Sequence, residues 1–387
     1  MADDDDFDGV RIDELRRRHS SKWMTYPADV LPAFVAELDV PLADPVRRVL
    51  HEAVDLGDTG YPEPGALSAA FTGFVAGRHD WAVDEADVHL VGDVMAGVAE
   101  VLRVMTDPGD AVVINPPVYP PFVDTLAEVD RPVVRVPLAR DGGPDRSGWT
   151  LDLAGLEAAF RDGARAYLLC SPHNPVGRVW SEAELRAVAE LADRYGVLVL
   201  SDEIHAPLVL PGTRHLPYPA VAGGGAECVA FHSASKAWNL AGLKCALAVT
   251  NGAAGRAAFD RMPREVPYRT SIFGVLAGAA AYAEGGRWLD SLLAHLDRNR
   301  RLLADLLAER LPEVVHRPPQ ASYLGWLDLS AYGLGDDPAR VLLERGRVAL
   351  EPGPNFGRQG AGFARLNIGT SRALLTEAVD RMATALS

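Results

Sequence analysis

Between Val94 and Thr250 the chain alternates short, nearly unbroken apolar runs with longer stretches in which apolar positions recur every three or four residues. AVVI at Ala111 to Ile114, RAYLLC ending at Cys170, VLVLS at Val197 to Ser201, ECVAFHS at Glu227 to Ser233 and CALAVT at Cys245 to Thr250 read as buried strands. Val94 to Met105 and SEAELRAVAELADRYG read as helices. In the second of these, Ser181 suits the N-cap, Glu184 completes a capping box and Gly196 suits the stop. Apolar strands separated by helices predict a mainly parallel sheet covered on both faces. Upstream, Pro45 to about Val54 and Gly65 to Gly77 predict short helices on either side of the turn-rich GDTGYPEPG. The first forty or so residues keep no period, as expected of an arm laid over something else.

Beyond about Phe273 the texture changes. A long helical stretch from Phe273 to Leu311 leads into short strands (SYLGWLDL, FARLNIG) alternating with helices (PARVLLERG, ALLTEAVDRMATAL), an α+β pattern. The expected organisation is an arm of residues 1–44 belonging to a smaller domain, a large domain of 45–275, and the rest of the smaller domain in 276–387.

At 387 residues the chain exceeds what one hydrophobic core usually serves, which supports that division. Hydrophobic residues at 48% and charged residues at 24% exclude a disordered or collagen-like chain. The formal charge of −15 disfavours nucleic acid and anionic membranes as partners. The start, MADDDDFDG, is acidic where a leader would be basic, so a cytoplasmic protein is expected. Cys170, Cys228 and Cys245 are odd in number and sit in apolar contexts, where buried, unreactive thiols are expected. More useful is the basic composition: of 38 Lys and Arg residues only Lys22, Lys236 and Lys244 are lysines. Arginine serves a solvated surface as well as lysine does, but it cannot form an imine, so each retained lysine is a candidate for chemistry.

Ligands of parallel α/β sheets bind beyond the carboxyl ends of the strands. Those ends carry NPPVYPPF, SPHNPVGR, DEIH and SASKAWNLAGLK, which supply an aromatic, an amide, a carboxylate and a lysine in turn. Lys236 follows two hydroxyls, Ser233 and Ser235, and a second cation, Lys244, lies eight positions on. A lysine beside a phosphate site suits a Schiff base with pyridoxal 5′-phosphate. Asp202 could pair with the pyridine nitrogen, Asn174 could bond the ring oxygen, Tyr119 could stack on the ring, and the helix from Val94 could offer its free amides to phosphate. No glycine fingerprint of a dinucleotide fold follows a strand, and histidines 173, 205, 215 and 232 lack metal-ligand spacing, so no metal is expected.

Together these motifs resemble the class I/II aminotransferase superfamily of fold-type I pyridoxal-phosphate enzymes, from about Trp23 to the C-terminus. SPHNPVGRVW, SDEIH, SASKAWNLAGLK, NPPVYPPF and ASYLGWLDL look most like its bacterial cystathionine β-lyase branch of carbon–sulfur lyases. His205 stands where aminotransferases usually carry Tyr. The resemblance implies a large domain with a mainly parallel seven-stranded sheet, a smaller α+β domain, and a homodimer with shared sites. It makes Lys236 the Schiff-base lysine, Asp202 and Tyr119 its catalytic companions, and Val94, Met95, Asn174, His205, Ser233, Ser235 and Lys244 cofactor ligands. Tyr61 would reach the neighbouring subunit's phosphate, and Arg365, with Tyr61 and Asp39, would meet the amino-acid substrate. The implied reaction cleaves an S-substituted cysteine to thiol, pyruvate and ammonia. An aminotransferase, a specialised enzyme acting on a cysteine conjugate, and a binding protein without chemistry share the same residues. The departures are Val176 for a usual Thr, Lys244 for Arg, Asp93 beside the phosphate site, and the segments Ala36 to Val40 and VPYRTS around Arg269. An Asp at position 93 is unfavourable there unless it turns away.

Overall fold

The computed structural model describes residues 7–140, 148–223, 225 and 227–387. The opening acidic tract, Asp3 to Asp6, lies outside them. Seven strands form the main sheet: β1 Val88–Val91, β2 Val112–Ile114, β3 Val133–Arg135, β4 Ala166–Cys170, β5 Leu198–Asp202, β6 Cys228–His232 and β7 Ala246–Thr250. They lie in the order β1-β7-β6-β5-β4-β2-β3, and only β7 runs against its neighbours. Strands β4 to β7 are buried at every position, and helices on both faces account for their unbroken apolar runs. Cys170 pairs in register with Asp202, and Asp202 with Phe231, so the chemistry-bearing ends of β4, β5 and β6 finish at one edge.

Helix Glu182–Tyr195 has the expected capping box between Ser181 and Glu184, and it stops at Gly196, whose φ of 64° favours glycine. Three features differ from the pattern read in the sequence. Strands β1 and β3 went unread, β1 because VHLV is short and interrupted by a histidine, and β3 because its three residues lie at the sheet edge and are not fully buried. The long stretch after Phe273 is two helices, Ile272–Glu284 and Gly286–Arg310. They meet at Gly285, where a Cβ would lie 2.5 Å from Trp238 Nε1, so the indole packed there leaves no room for a side chain. Cys170 and Cys228 are buried as expected, but Cys245 is only half-buried.

A second sheet carries Val315–His316, Leu324–Asp328, Phe363–Asn367 and Glu351–Pro352, all antiparallel. The arm's short strand Leu31–Pro32 pairs in parallel with Val348–Ala349, next to that sheet. From there the arm runs over the active edge of the main sheet. Its carbonyls at Phe34, Val35, Ala36 and Glu37 accept from the side chains of Arg365, Asn367, Lys236, Tyr323 and Lys22. Among the described residues no helix is long and apolar enough to cross a membrane.

Candidate active site

One cavity of about 510 Å³ opens where the strand ends, the arm and the second sheet meet. Its walls include Val94, Met95, Tyr119, Asn174, Asp202, His205, Ser233, Ser235, Lys236, Lys244 and Arg365, which the sequence placed at separate strand ends and motifs. The Lys236 amine donates to the Ala36 carbonyl at 3.0 Å. Burial, helped by the Arg365 charge, lowers its pKa to about 8, so a neutral amine is accessible near physiological pH. Asp202 is 4% exposed, and the Ile204 amide donates to its Oδ1 at 3.1 Å. Burial pushes its pKa up to about 7, because the Ile204 amide and the Lys236 charge only partly offset the loss of water. Such a carboxylate is poised to accept a cationic partner.

Arg365 lies in the middle of Phe363–Asn367 and is buried despite its charge. It donates through Nη1 to Asn174 Oδ1 at 3.0 Å and through Nη2 to the Phe34 carbonyl at 2.9 Å, with Phe356 under its plane at 4.9 Å. Because Arg365 occupies the Asn174 oxygen, the amide nitrogen of Asn174 is left for the cavity. His205 stands edge-on to Tyr323, and burial, with Lys236 and Arg365 adding to it, lowers its pKa to about 3, so its ring is neutral.

Three expectations need revision or qualification. Asp39 does not face the cavity. It is buried in a salt bridge with Lys22, Nζ to Oδ2 at 2.7 Å, and also accepts from Trp23 Nε1 at 3.2 Å. A carboxylate so far from water needs a cation, and Lys22, itself buried, supplies it; both are structural, not substrate-binding. Tyr61 lies outside its own chain's cavity, 83% exposed and edge-on to Tyr268. Asp93 does not turn away from the cavity: its Oδ1 caps helix Val94–Met105 by accepting from the Ala96 amide at 2.8 Å, and its Oδ2 meets Lys244 Nζ at 2.8 Å.

The sequence reading also missed residues that matter here. Phe34, Phe356 and Glu351 line the cavity, yet they come from the arm, from a short turn and from a two-residue strand of the smaller sheet, with no motif of their own. Behind Asp202, the fully buried Glu203 accepts from His215 at 2.9 Å, from Ser201 at 3.0 Å and from the Tyr218 amide at 2.7 Å. That network fixes the end of β5 from inside the core.

The donor set fits the pyridoxal phosphate that the motifs implied. Among the described residues, His205 Nδ1 and Arg365 Nε are buried without a hydrogen-bond partner, and the Lys236 amine has one carbonyl acceptor. An unpaired buried donor is costly, so polar atoms left open around the buried Asp202 carboxylate suit a polar occupant.

Comparisons with known proteins agree with this geometry. A Mycobacterium leprae protein provisionally named a cystathionine beta-lyase is 45% identical over 97% of each chain. Cystathionine beta-lyase PatB of Bacillus subtilis is 36% identical over 93% of each chain. The crystal structure of cystalysin from Treponema denticola, which contains a pyridoxal 5′-phosphate cofactor, superposes with a TM-score of 0.88 at 26% identity over 96% of each chain. The architecture is that of fold-type I pyridoxal-phosphate enzymes. With the aminotransferase class I and II model matching residues 53–382, the chain belongs to that family.

Proposed function

We propose that this chain is a pyridoxal-phosphate-dependent carbon–sulfur β-lyase that cleaves cystathionine-like or other S-substituted cysteines to thiol, pyruvate and ammonia. The observation that carries the reading is the single cavity in which Lys236, Asp202, Asn174, His205 and Arg365 converge. The names of its relatives support the lyase branch. Pyridoxal phosphate supplies an electron sink for the substrate's α-carbon.

The chain's own residues do the rest. Val94, Met95, Ser233, Ser235 and Lys244 would hold the phosphate, Asn174 would offer its free amide hydrogen to the ring oxygen, and Tyr119 and His205 would contact the ring. Asp202 would keep a proton on the pyridine nitrogen by charge. Arg365 binds the substrate α-carboxylate, and its bonds to Asn174 and Phe34 fix the guanidinium before substrate arrives, so little orientation is lost on binding. Lys236, with its lowered pKa, takes the α-proton near neutral pH. The thiolate then leaves from Cβ, and water completes the conversion to pyruvate and ammonia.

Incubation with cystathionine and other cysteine S-conjugates tests the reaction. Thiol and pyruvate should appear in equal amounts without any keto-acid acceptor. Turnover that needs a keto acid and yields a new amino acid would make the chain an aminotransferase.

The working form in this reading is a cytoplasmic homodimer with shared sites, in which the arm of 1–44 belongs with 276–387 to the smaller domain and 45–275 forms the large one. Support for the dimer comes from Tyr61, whose ring stands exposed beside Tyr268 outside its own cavity. Support for the unit boundaries comes from the pairing of Leu31–Pro32 with Val348–Ala349. Mixing inactive Tyr61→Phe and Lys236→Ala subunits should recover roughly a quarter of the parent activity, since half of the dimers are hybrids with one of two sites intact. A fully active monomer in light scattering would end this part of the reading.

A further inference from the structure

We infer that Asp93 weakens this chain's hold on the phosphate of its cofactor by occupying two donors the phosphate would otherwise use. The inference rests on the functional reading above. At the start of helix Val94–Met105, Oδ1 of Asp93 accepts from the Ala96 amide at 2.8 Å while Oδ2 pairs with Lys244 Nζ at 2.8 Å. One carboxylate thus holds both a helix N-terminal amide and the cation of the phosphate end. The other cations lining the cavity, Lys236 and Arg365, are committed elsewhere, to the Ala36 carbonyl and to Asn174 and Phe34. Ser233 is also engaged, donating its hydroxyl to the Cys245 carbonyl at 2.6 Å. A phosphate entering here meets an ion pair of no net charge where a free ammonium would attract it.

Asp93 could instead help by aiming Lys244, but the backbone already does that. Lys244 sits in the left-handed region at φ 48°, and its carbonyl accepts from the Ser271 amide at 3.0 Å, so its Cβ direction is set without Asp93. What Asp93 adds is a negative charge beside a dianion. Its carboxyl stays ionised: burial works against this, but the Lys244 and Ala96 hydrogen bonds outweigh it and bring the pKa below the ordinary carboxylate value.

Asparagine is an equally good N-cap, so Asp93→Asn keeps the Ala96 bond while releasing the Lys244 ammonium. The test loads parent, Asp93→Asn and Lys244→Met proteins with pyridoxal 5′-phosphate or with pyridoxal, which lacks the phosphate, and reads dissociation constants by absorbance. Asp93→Asn should bind pyridoxal phosphate about three- to tenfold more tightly, the range for one partly solvated unit charge at ion-pair distance, and bind pyridoxal unchanged. Lys244→Met should bind pyridoxal phosphate more weakly than the parent. Asp93→Ser, another capping residue without charge, should tighten binding in the same sense and guards against a folding defect in the first variant. Equal or weaker binding of pyridoxal phosphate by both Asp93 variants would overturn the inference, as would a gain shared by pyridoxal. A parent chain that bound neither compound would overturn the functional reading itself, a separate result.

Discussion

Replacing Lys236 by alanine is expected to remove the visible absorbance of covalently held cofactor and to lower turnover by about a thousandfold or more, as loss of a positioned proton-transfer group does. Two independent properties single this residue out. Its amine is the one lysine nitrogen lining the cavity beside Asp202 and Arg365, and burial has lowered its pKa to about 8. Lys244 also lines the cavity, but Asp93 ties it down at the start of helix Val94–Met105. Borohydride reduction of the parent followed by peptide mapping should put the label on Lys236; a label on Lys22 or Lys244 would sink the assignment.

Asp202→Asn should still take up cofactor yet turn over about a hundred- to a thousandfold more slowly, the usual cost of removing one preorganised electrostatic contact in a dry site. The amide can still accept from Ile204 but cannot hold the pyridine proton by charge. A second effect runs the other way. The folded-state pKa of Asp202, about 7, lies above the ordinary value of 3.8, so the folded chain binds this proton more tightly than the unfolded one. Stability therefore falls as pH rises from about 4 through 7. Above pH 7 the cofactor-free Asp202→Asn protein should melt at a higher temperature than the cofactor-free parent. Near-parental turnover in the variant would make Asp202 a structural residue only.

The main sheet was legible because strands buried on both faces read as unbroken apolar runs, and because the polar residues that end them have no packing reason to be there. Tyr119, Asn174, Asp202 and Lys236 were visible for that reason, and the cavity unites them. The arm was not legible, because its contacts to Arg365, Lys236 and Asn367 run through backbone carbonyls that any residue supplies. The same fact makes the unusual side chains at Ala36 to Val40 tolerable. Asp39 was misread for a different reason. Its partner, Lys22, lies 17 positions upstream in a segment without hydrophobic period, so nothing local marked the carboxylate as already neutralised. Strands β1 and β3 and the break at Gly285 depended on the two sheet edges and on the Trp238 indole, features remote in sequence.

The scarcity of lysine has a practical corollary for anyone who labels this molecule. Apart from the amino terminus, the chain offers three primary amines: Lys22, 1% exposed and locked against Asp39; Lys236, in the cavity; and Lys244, on its wall. Beyond the amino terminus, an amine-acylating reagent is left with the exposed Lys244 and the cavity's Lys236, and protection of Lys236 reports occupancy of that cavity without any assay of turnover. Lysine-based cross-linking, by the same logic, is nearly blind to the outer surface. Cross-linkers for that surface have to be chosen for carboxylates or arginines.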